Sequence, residues 1–222
     1  MLLKIPDVMA PAQVAELRAL LEKAPFQDGA LTGHPRLKKN LQLLGRAPEA
    51  QQALGLAMRA LAGNRLFASF AQPFNFQLVF NRYEPGMFYK DHMDAALMGG
   101  LKGGAPIRTD LSFTLFLTDP ADYEGGDFVI RTGFGDLRVR GQLGHAICYP
   151  SNMLHRVEAV TRGARWAAVG WVQSVIRDLD QRLIVHELEL LRERVTANNV
   201  DHPEDEAFSR LRENLVRQWS ET

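Results

Sequence analysis

Two histidines and one aspartate form the set of side chains in this sequence best suited to hold a metal ion. His92 and Asp94 stand two residues apart in FYKDHMDAALMGG, and His155 follows in YPSNMLHRVEAV. On a strand, residues two apart point to the same side, so His92 and Asp94 can offer a nitrogen and an oxygen to one ion. Two histidines and one carboxylate are the facial triad that holds non-haem Fe(II) and leaves coordination positions open.

The His-x-Asp pair also has a plainer interpretation. Taken alone, the pair is weak as a motif, and a partly exposed polar strand or loop is the commoner explanation of it. The metal interpretation gains support from His155 and from Arg165, which follows ten residues later. Both interpretations stay open on spacing alone.

Arg165 is the candidate for binding an anionic co-substrate such as 2-oxoglutarate. It begins the apolar run RWAAVGW, where strand alternation places Val169 and Trp171 on the same side as Arg165. A charge in such a run requires a buried anionic partner, and a guanidinium binds a carboxylate through two parallel hydrogen bonds. The alternative is a surface salt bridge, which is the commoner situation for an arginine.

The segment DLSFTLFLT has a hydroxyl-bearing face. Alternation separates Ser112, Thr114 and Phe116 from the leucines and from Phe113. We expect the hydroxyl-bearing face to line the pocket.

The other histidines, the cysteine and one acid near the motif receive no role in the site. Asp91 alternates away from His92 on a strand, so it is interpreted as a solvated acid. Cys148 lies between Ile147 and Tyr149 with no activating neighbour and is interpreted as a small core residue. The remaining histidines are interpreted as turn, loop or helix residues: His34, His145, His186 and His202.

Composition excludes several functional classes. Of 222 residues, 46% are apolar and 23% charged, which is typical of a globular protein. Lys plus Arg equals Asp plus Glu at 26 each, so no net field attracts nucleic acid or an acidic membrane surface. A single cysteine, with neither a leader nor a long apolar run, predicts a cytoplasmic protein.

Helical spacing of apolar residues predicts helices at both ends of the chain. The pattern indicates helices over 11–23, 49–61 and 176–195, followed by a break at 198–203 and a last helix ending at Trp219. Residues 26–39 contain glycine and proline and are expected to be irregular.

The middle of the chain has a different pattern. Short apolar or alternating runs at 76–83, 110–118, 126–131, 146–149 and 167–171 are separated by glycine and proline. Many short strands with turns between them favour an antiparallel sandwich or barrel.

Four core segments together resemble one family. NRYEPGMFYKDHMD, EGGDFVI, YPSNMLHRV and RWAAVGWVQSVIRD are similar to the core of Fe(II)/2-oxoglutarate-dependent, prolyl-hydroxylase-like dioxygenases. The flanks DGALTGHPRLKKNLQL and QSVIRDLDQRLIVHELELL resemble the bacterial PKHD-type hydroxylases, including the iron-uptake-associated members.

The resemblance implies a mainly β fold with flanking helices. Its centre is a double-stranded β-helix, or jelly roll, with N-terminal helices and a C-terminal helical extension. The corresponding division is a support region at 1–72, a dioxygenase core at 73–174 and a C-terminal extension at 175–222.

The resemblance also implies roles for individual residues. His92, Asp94 and His155 match the iron ligands, and Arg165 matches the 2-oxoglutarate anchor. Tyr83 matches a tyrosine beside the co-substrate, and Trp171 stands where related animal prolyl hydroxylases have a pocket tryptophan.

Phe116 departs from those animal enzymes. They have a tyrosine at this position that reaches the far carboxylate of 2-oxoglutarate. Ser112 and Thr114 are the candidates to supply that second donor here.

The implied reaction is hydroxylation of an organic substrate, with 2-oxoglutarate converted to succinate and CO2. The implied cofactors are Fe(II), 2-oxoglutarate, O2 and L-ascorbate, and the implied substrate is a small molecule or a peptide. No nucleic-acid or membrane partner is expected. The C-terminal helices can pack either on the core or on a second subunit, so a homo-oligomer stays open.

Other functions compatible with a jelly-roll metal site are considered alongside this one. A sensor that binds iron and 2-oxoglutarate without catalysis can have identical ligands. A hydrolase or isomerase that uses Zn(II) or Mn(II) requires no distal anchor such as Arg165. A halogenase lacks the carboxylate ligand, whereas Asp94 is present.

Overall fold

Two antiparallel β-sheets face each other across a cavity at the centre of the chain. The computed structural model describes residues 2–32, 35–43, 47–99, 106–197, 199 and 201–221. This arrangement confirms the jelly-roll core with flanking helices.

The larger sheet has seven strands and forms one wall of the cavity. Its strands β9 (Leu111–Phe116) and β16 (Arg165–Ser174) are buried almost throughout, because helices cover one face and the second sheet covers the other. In spatial order the strands are β1 (Leu3–Ile5), β13 (Ala146–Pro150), β9 (Leu111–Phe116), β16 (Arg165–Ser174), β5 (Pro73–Tyr83), β4 (Leu41–Leu43) and β2 (Gln27–Asp28).

The smaller sheet has five strands and carries both candidate histidine ligands. In spatial order these are β12 (Gly135–Val139), β11 (Phe128–Thr132), β14 (His155–Val157), β6 (Phe88–His92) and β3 (Lys38–Lys39). Two short strand pairs complete the β structure: β10 (Tyr123–Gly125) with β15 (Val160–Gly163), and β7 (Leu97–Met98) with β8 (Ile107–Arg108).

Three N-terminal helices support the larger sheet. They are α1 (Pro11–Lys23), α2 (Pro48–Gly63) and α3 (Arg65–Ala71). Their buried residues, including Leu17 and Phe67, join one apolar cluster with Phe113 and Val172 of the sheet. The packed outer face fixes the strands whose inner face lines the cavity.

The C-terminal helices pack on this body and on each other. Asp178 caps α4 (Leu179–Thr196) by accepting a hydrogen bond from the Gln181 amide at 2.9 Å. His186 of α4 is hydrogen-bonded to Ser69 of α3, with 2.9 Å between Nδ1 and Oγ. Helix α5 (Asp205–Trp219) is tied to α4 by Arg192–Asp205. Of the helices described, none is long and apolar enough to cross a bilayer.

Sequence patterns located most of these elements. The helix over 11–23 is confirmed at both ends, and the strands over 76–83, 146–149 and 167–171 are each present with small extensions. The sequence patterns predicted neither helix α3 nor the hairpin formed by β11 and β12. The support region at 1–72 also contributes edge strands to both sheets, so its separation from the core stays a prediction.

Candidate metal and co-substrate site

The three candidate ligands meet at one end of the smaller sheet. His92 is the last residue of β6 and pairs in register with His155, the first residue of β14. One ligand atom from each histidine and from Asp94 all lie within 4.8 Å of one another. Asp94 follows the strand instead of belonging to it, so the expectation that strand alternation aligns it with His92 was wrong in that detail.

Main-chain carbonyls orient both imidazole rings. His92 Nδ1 lies 2.7 Å from the Lys90 carbonyl oxygen, and His155 Nδ1 lies 2.9 Å from that of Met153. A carbonyl only accepts, so each Nδ1 carries a hydrogen, and in the neutral form of each ring Nε2 keeps the lone pair. Burial, and then the neighbouring His155, lowers the pKa of His92 to about 4. Both rings therefore present a nitrogen suited to a metal.

A serine pair holds the Asp94 carboxylate. Ser112 Oγ donates to Asp94 Oδ2 at 2.5 Å, and Ser112 and Ser151 are joined at 2.7 Å between their Oγ atoms. The single hydroxyl hydrogen of Ser112 is used on Asp94, so Ser151 is the donor in the serine pair. Ser112 thus contacts the metal end of the cavity.

Arg165 is buried without a hydrogen-bond or ion-pair partner among the described residues. Its side chain is 1% exposed, and none of its three guanidinium nitrogens has a hydrogen-bond partner among the described residues. The guanidinium carbon lies 5.6 Å from the ring centroids of both Tyr83 and Phe116. Gly126 leaves room for the side chain, since a Cβ there would lie 3.1 Å from Arg165 Cδ. A buried cation of this kind is suited to an anionic ligand.

One cavity of about 880 Å³ joins the triad to Arg165. This volume lies in the upper part of the usual range for ligand pockets. Both sheets contribute side chains to its walls, including Val79, Asn81, Thr114, Val169, Trp171, Phe128 and Val157. The prediction that the hydroxyl-bearing face of β9 lines the pocket is confirmed.

Residues given no role in the site lie elsewhere or are paired. Asp91 forms ion pairs with Arg131 and Arg156, at 3.3 Å and 3.4 Å. His145 Nε2 lies 3.6 Å from an Asp7 carboxylate oxygen.

Burial raises the pKa of the Cys148 thiol to about 12. His202 accepts a hydrogen bond from the Glu204 amide, and His34 lies outside the described residues. Within the described part of the chain, only the triad groups three metal-binding side chains.

Sequence comparison decides the family. Residues 78–173 match the 2OG-Fe(II) oxygenase superfamily. A PKHD-type hydroxylase of Xanthomonas euvesicatoria pv. vesicatoria is 42% identical over 227 residues, and one of Picosynechococcus is 43% identical over 225; all of each chain is covered. The chain belongs to the PKHD-type hydroxylase family. It is a 2OG-Fe(II) oxygenase, a class that uses Fe(II), 2-oxoglutarate and O2.

Solved structures share the fold of this PKHD-type hydroxylase. A prolyl-4-hydroxylase of Pseudomonas putida superposes with a TM-score of 0.53 at 20% identity, covering 78% of this chain and 92% of the other. HygX from Streptomyces hygroscopicus, with nickel and 2-oxoglutarate bound, has a TM-score of 0.54 at 16% identity, covering 79% and 84%. At these identities the similarity concerns the fold.

The structure adds cavity-lining residues that sequence patterns missed. Tyr149 lines the cavity, as does Thr114, and burial raises the pKa of Tyr149 well above the usual value. Lys38 lines the cavity from β3, and burial lowers its pKa to about 8. Both lie within quoted family segments, but neither has a spacing relation to the triad that marks it.

Ser112→Ala is expected to weaken metal binding about tenfold to a hundredfold, since groups that orient a metal ligand typically contribute that much. Loss of its hydroxyl leaves Asp94 without the hydrogen bond that fixes it. The measurement is competition of a chelator for Fe(II) under anaerobic conditions. Ser69→Ala, at the α3–α4 contact, is the matched control and should bind Fe(II) like the wild type. Unchanged affinity in Ser112→Ala would show that Asp94 is positioned by other groups.

Proposed function

We propose that His92, Asp94 and His155 bind Fe(II) and that Arg165 binds the far carboxylate of 2-oxoglutarate. The single observation that carries this proposal is the fully buried guanidinium of Arg165, which has no hydrogen-bond partner among the described residues and lies in the cavity that contains the triad. A metal site for hydrolysis alone needs no such cation. A linear dianion can bind the metal with one end and pair the carboxylate at its other end with Arg165.

The chemistry supplied by bound Fe(II) is activation of O2 with 2-oxoglutarate. One oxygen atom enters a substrate C–H bond as a hydroxyl group, and the other enters succinate as CO2 leaves. The chain contributes position and environment. Tyr83 and Phe116 flank the Arg165 guanidinium and shield it from water, which strengthens its attraction for a carboxylate.

We assign the hydroxyl groups of the cavity to different ends. Ser112 supports Asp94 at the metal end. Thr114 and Tyr149 both line the cavity, and Tyr149 lies within electrostatic reach of both Asp94 and Arg165. We therefore place Thr114 and Tyr149 beside the bound co-substrate, in place of the tyrosine that Phe116 replaces. Trp171 lies on the same face of β16 as Arg165 and forms part of the cavity wall.

Addition of 2-oxoglutarate to the anaerobic Fe(II) protein is expected to produce a weak visible charge-transfer band, because the keto acid chelates the metal. The measurement is a difference spectrum against Fe(II) protein alone. Succinate, which lacks the keto group, is the control and should give no band. A demonstrably iron-loaded sample without the band would contradict bidentate binding of the co-substrate.

We also propose that the enzyme works in the cytoplasm with L-ascorbate as an accessory reductant. Cys148 is a buried free thiol, which suits a reducing compartment, and the ascorbate assignment rests on family resemblance. Ascorbate is expected to prolong succinate formation without changing its initial rate. Time courses with and without ascorbate provide the measurement, and identical curves would remove ascorbate from the proposal.

A further inference from the structure

A polar wall, formed by Lys38 of β3 and Gln42 of β4, brings a second buried cation to the cavity. Lys38 is 5% exposed and lines the cavity. Its Nζ donates to Thr32 Oγ1 at 3.0 Å and to Gln42 Oε1 at 3.4 Å. Gln42 Nε2 in turn donates to Asn81 Oδ1 at 3.1 Å. The side chain of Lys38 is thus held in place by neighbouring polar groups.

Among the described residues, the Lys38 ammonium donates to two neutral acceptors. These are Thr32 and Gln42, and in the same part of the chain no carboxylate oxygen lies within ion-pair distance of Nζ. Asp28 and Asp94 act on it at longer range. An ammonium has three N–H donors, so one has no acceptor among the described residues and can serve a ligand. A buried charge without a counter-ion is unfavourable, which favours binding of an anion.

The cofactors do not supply this anion, a step that rests on the proposed function. Fe(II) and Arg165 together carry three positive charges, and Asp94 and the 2-oxoglutarate dianion carry three negative charges. These charges cancel. Lys38 then adds an uncompensated positive charge to the loaded cavity.

The distances place Lys38 near the metal end. Lys38 Nζ lies 5.4 Å from the ring centroid of Tyr89, and the Tyr89 ring stacks on His92 with 3.5 Å between centroids. We propose that Lys38 binds the carboxylate of the substrate, and that the substrate is therefore a small organic acid. Thr32 and Gln42 hold the ammonium in position, and the carbon to be hydroxylated lies toward the triad. A cavity of about 880 Å³ has room for such an acid beside 2-oxoglutarate.

The test compares acids with their own primary amides, which keep the shape but lose the negative charge. The probes are the proteinogenic L-amino acids and the corresponding amides. Binding is measured by anaerobic calorimetry on protein loaded with Fe(II), with and without 2-oxoglutarate. At least one acid should bind the wild type about tenfold or more tightly than its amide, as expected for a hydrogen bond between charged groups.

Variants assign this preference to Lys38. Lys38→Met, which keeps length and removes charge, should abolish the preference for acids and leave 2-oxoglutarate affinity within about twofold of the wild type. Lys38→Arg should keep part of the preference. Lys39→Met is the matched control, because Lys39 is the exposed neighbour on the same strand. It should behave like the wild type.

Several results would overturn the inference: no acid binds the wild type, acids and amides bind equally, or Lys38→Met keeps the preference. A roughly hundredfold fall in 2-oxoglutarate affinity in a folded Lys38→Met variant would move Lys38 to the co-substrate site and also overturn it. Thermal unfolding, compared with the wild type, reports whether the variant is folded. Failure of the wild type to bind 2-oxoglutarate contradicts the proposed function instead, and the comparison on Fe(II) protein alone still decides the role of Lys38.

Discussion

Arg165→Ala is expected to weaken binding of 2-oxoglutarate by roughly a hundredfold to several thousandfold, while Fe(II) binding is retained. Removing one partner of a buried charge pair costs about 3 to 5 kcal/mol, whereas an exposed pair contributes about 1 kcal/mol or less. Arg165 is 1% exposed, so the larger figure applies. The measurement is a titration of 2-oxoglutarate against anaerobic Fe(II) protein.

Two further variants make this experiment specific. Arg165→Lys should recover only part of the lost affinity, because one ammonium keeps the charge but not the planar pair of donors. Arg162→Ala is the matched control, since Arg162 pairs with Glu124 on the surface, and it should leave the affinity unchanged. A loss below about fivefold for Arg165→Ala would mean that the anchor lies elsewhere or that 2-oxoglutarate is not the co-substrate.

Replacing His92, Asp94 or His155 with alanine is expected to abolish 2-oxoglutarate turnover and to weaken Fe(II) binding strongly. The fold should survive each change, because these side chains surround the cavity and contribute less packing than core residues. Succinate formation, bound iron and thermal unfolding are measured on each purified variant.

His145→Ala is the control for these three variants, since His145 is paired with Asp7 outside the triad. It should keep iron and turnover. Loss of iron in His145→Ala would show that the wrong histidine was assigned. Unfolding of all three triad variants, without a separable loss of metal, would favour a structural role for the cluster.

The parts of the site that sequence could predict are those governed by strand alternation. Arg165 and Trp171 lie on one face of β16, and Ser112 and Thr114 on one face of β9, because side chains on a strand alternate strictly. The helix over 11–23 was similarly clear, since a proline begins it and apolar residues follow at helical spacing. In these segments one local rule determines the outcome.

The burial of the polar wall could not be predicted from strand alternation. Lys38, Asn40 and Gln42 alternate with Lys39, Leu41 and Leu43. An amphipathic interpretation turns the polar set toward water, yet all three are buried. Lys38 and Gln42 face the cavity between the two sheets, and only the position of the other sheet determines that. Asp94 lies with His92 and His155 as predicted, but it follows the strand, and its carboxylate accepts a hydrogen bond from Ser112, 18 residues later in the chain, which alternation could not predict.

The carbonyl groups of Lys90 and Met153 have a consequence for which metal the protein contains. They orient both imidazole rings through contacts within the chain, so we expect metal binding to require little rearrangement and removal of the metal to leave the fold intact, unlike in a zinc finger. The intrinsic order of affinity places Ni²⁺, Cu²⁺ and Zn²⁺ above Fe²⁺. We therefore expect occupancy by iron to depend on the free concentrations of competing metals. Activity should respond to zinc excess as directly as to iron shortage.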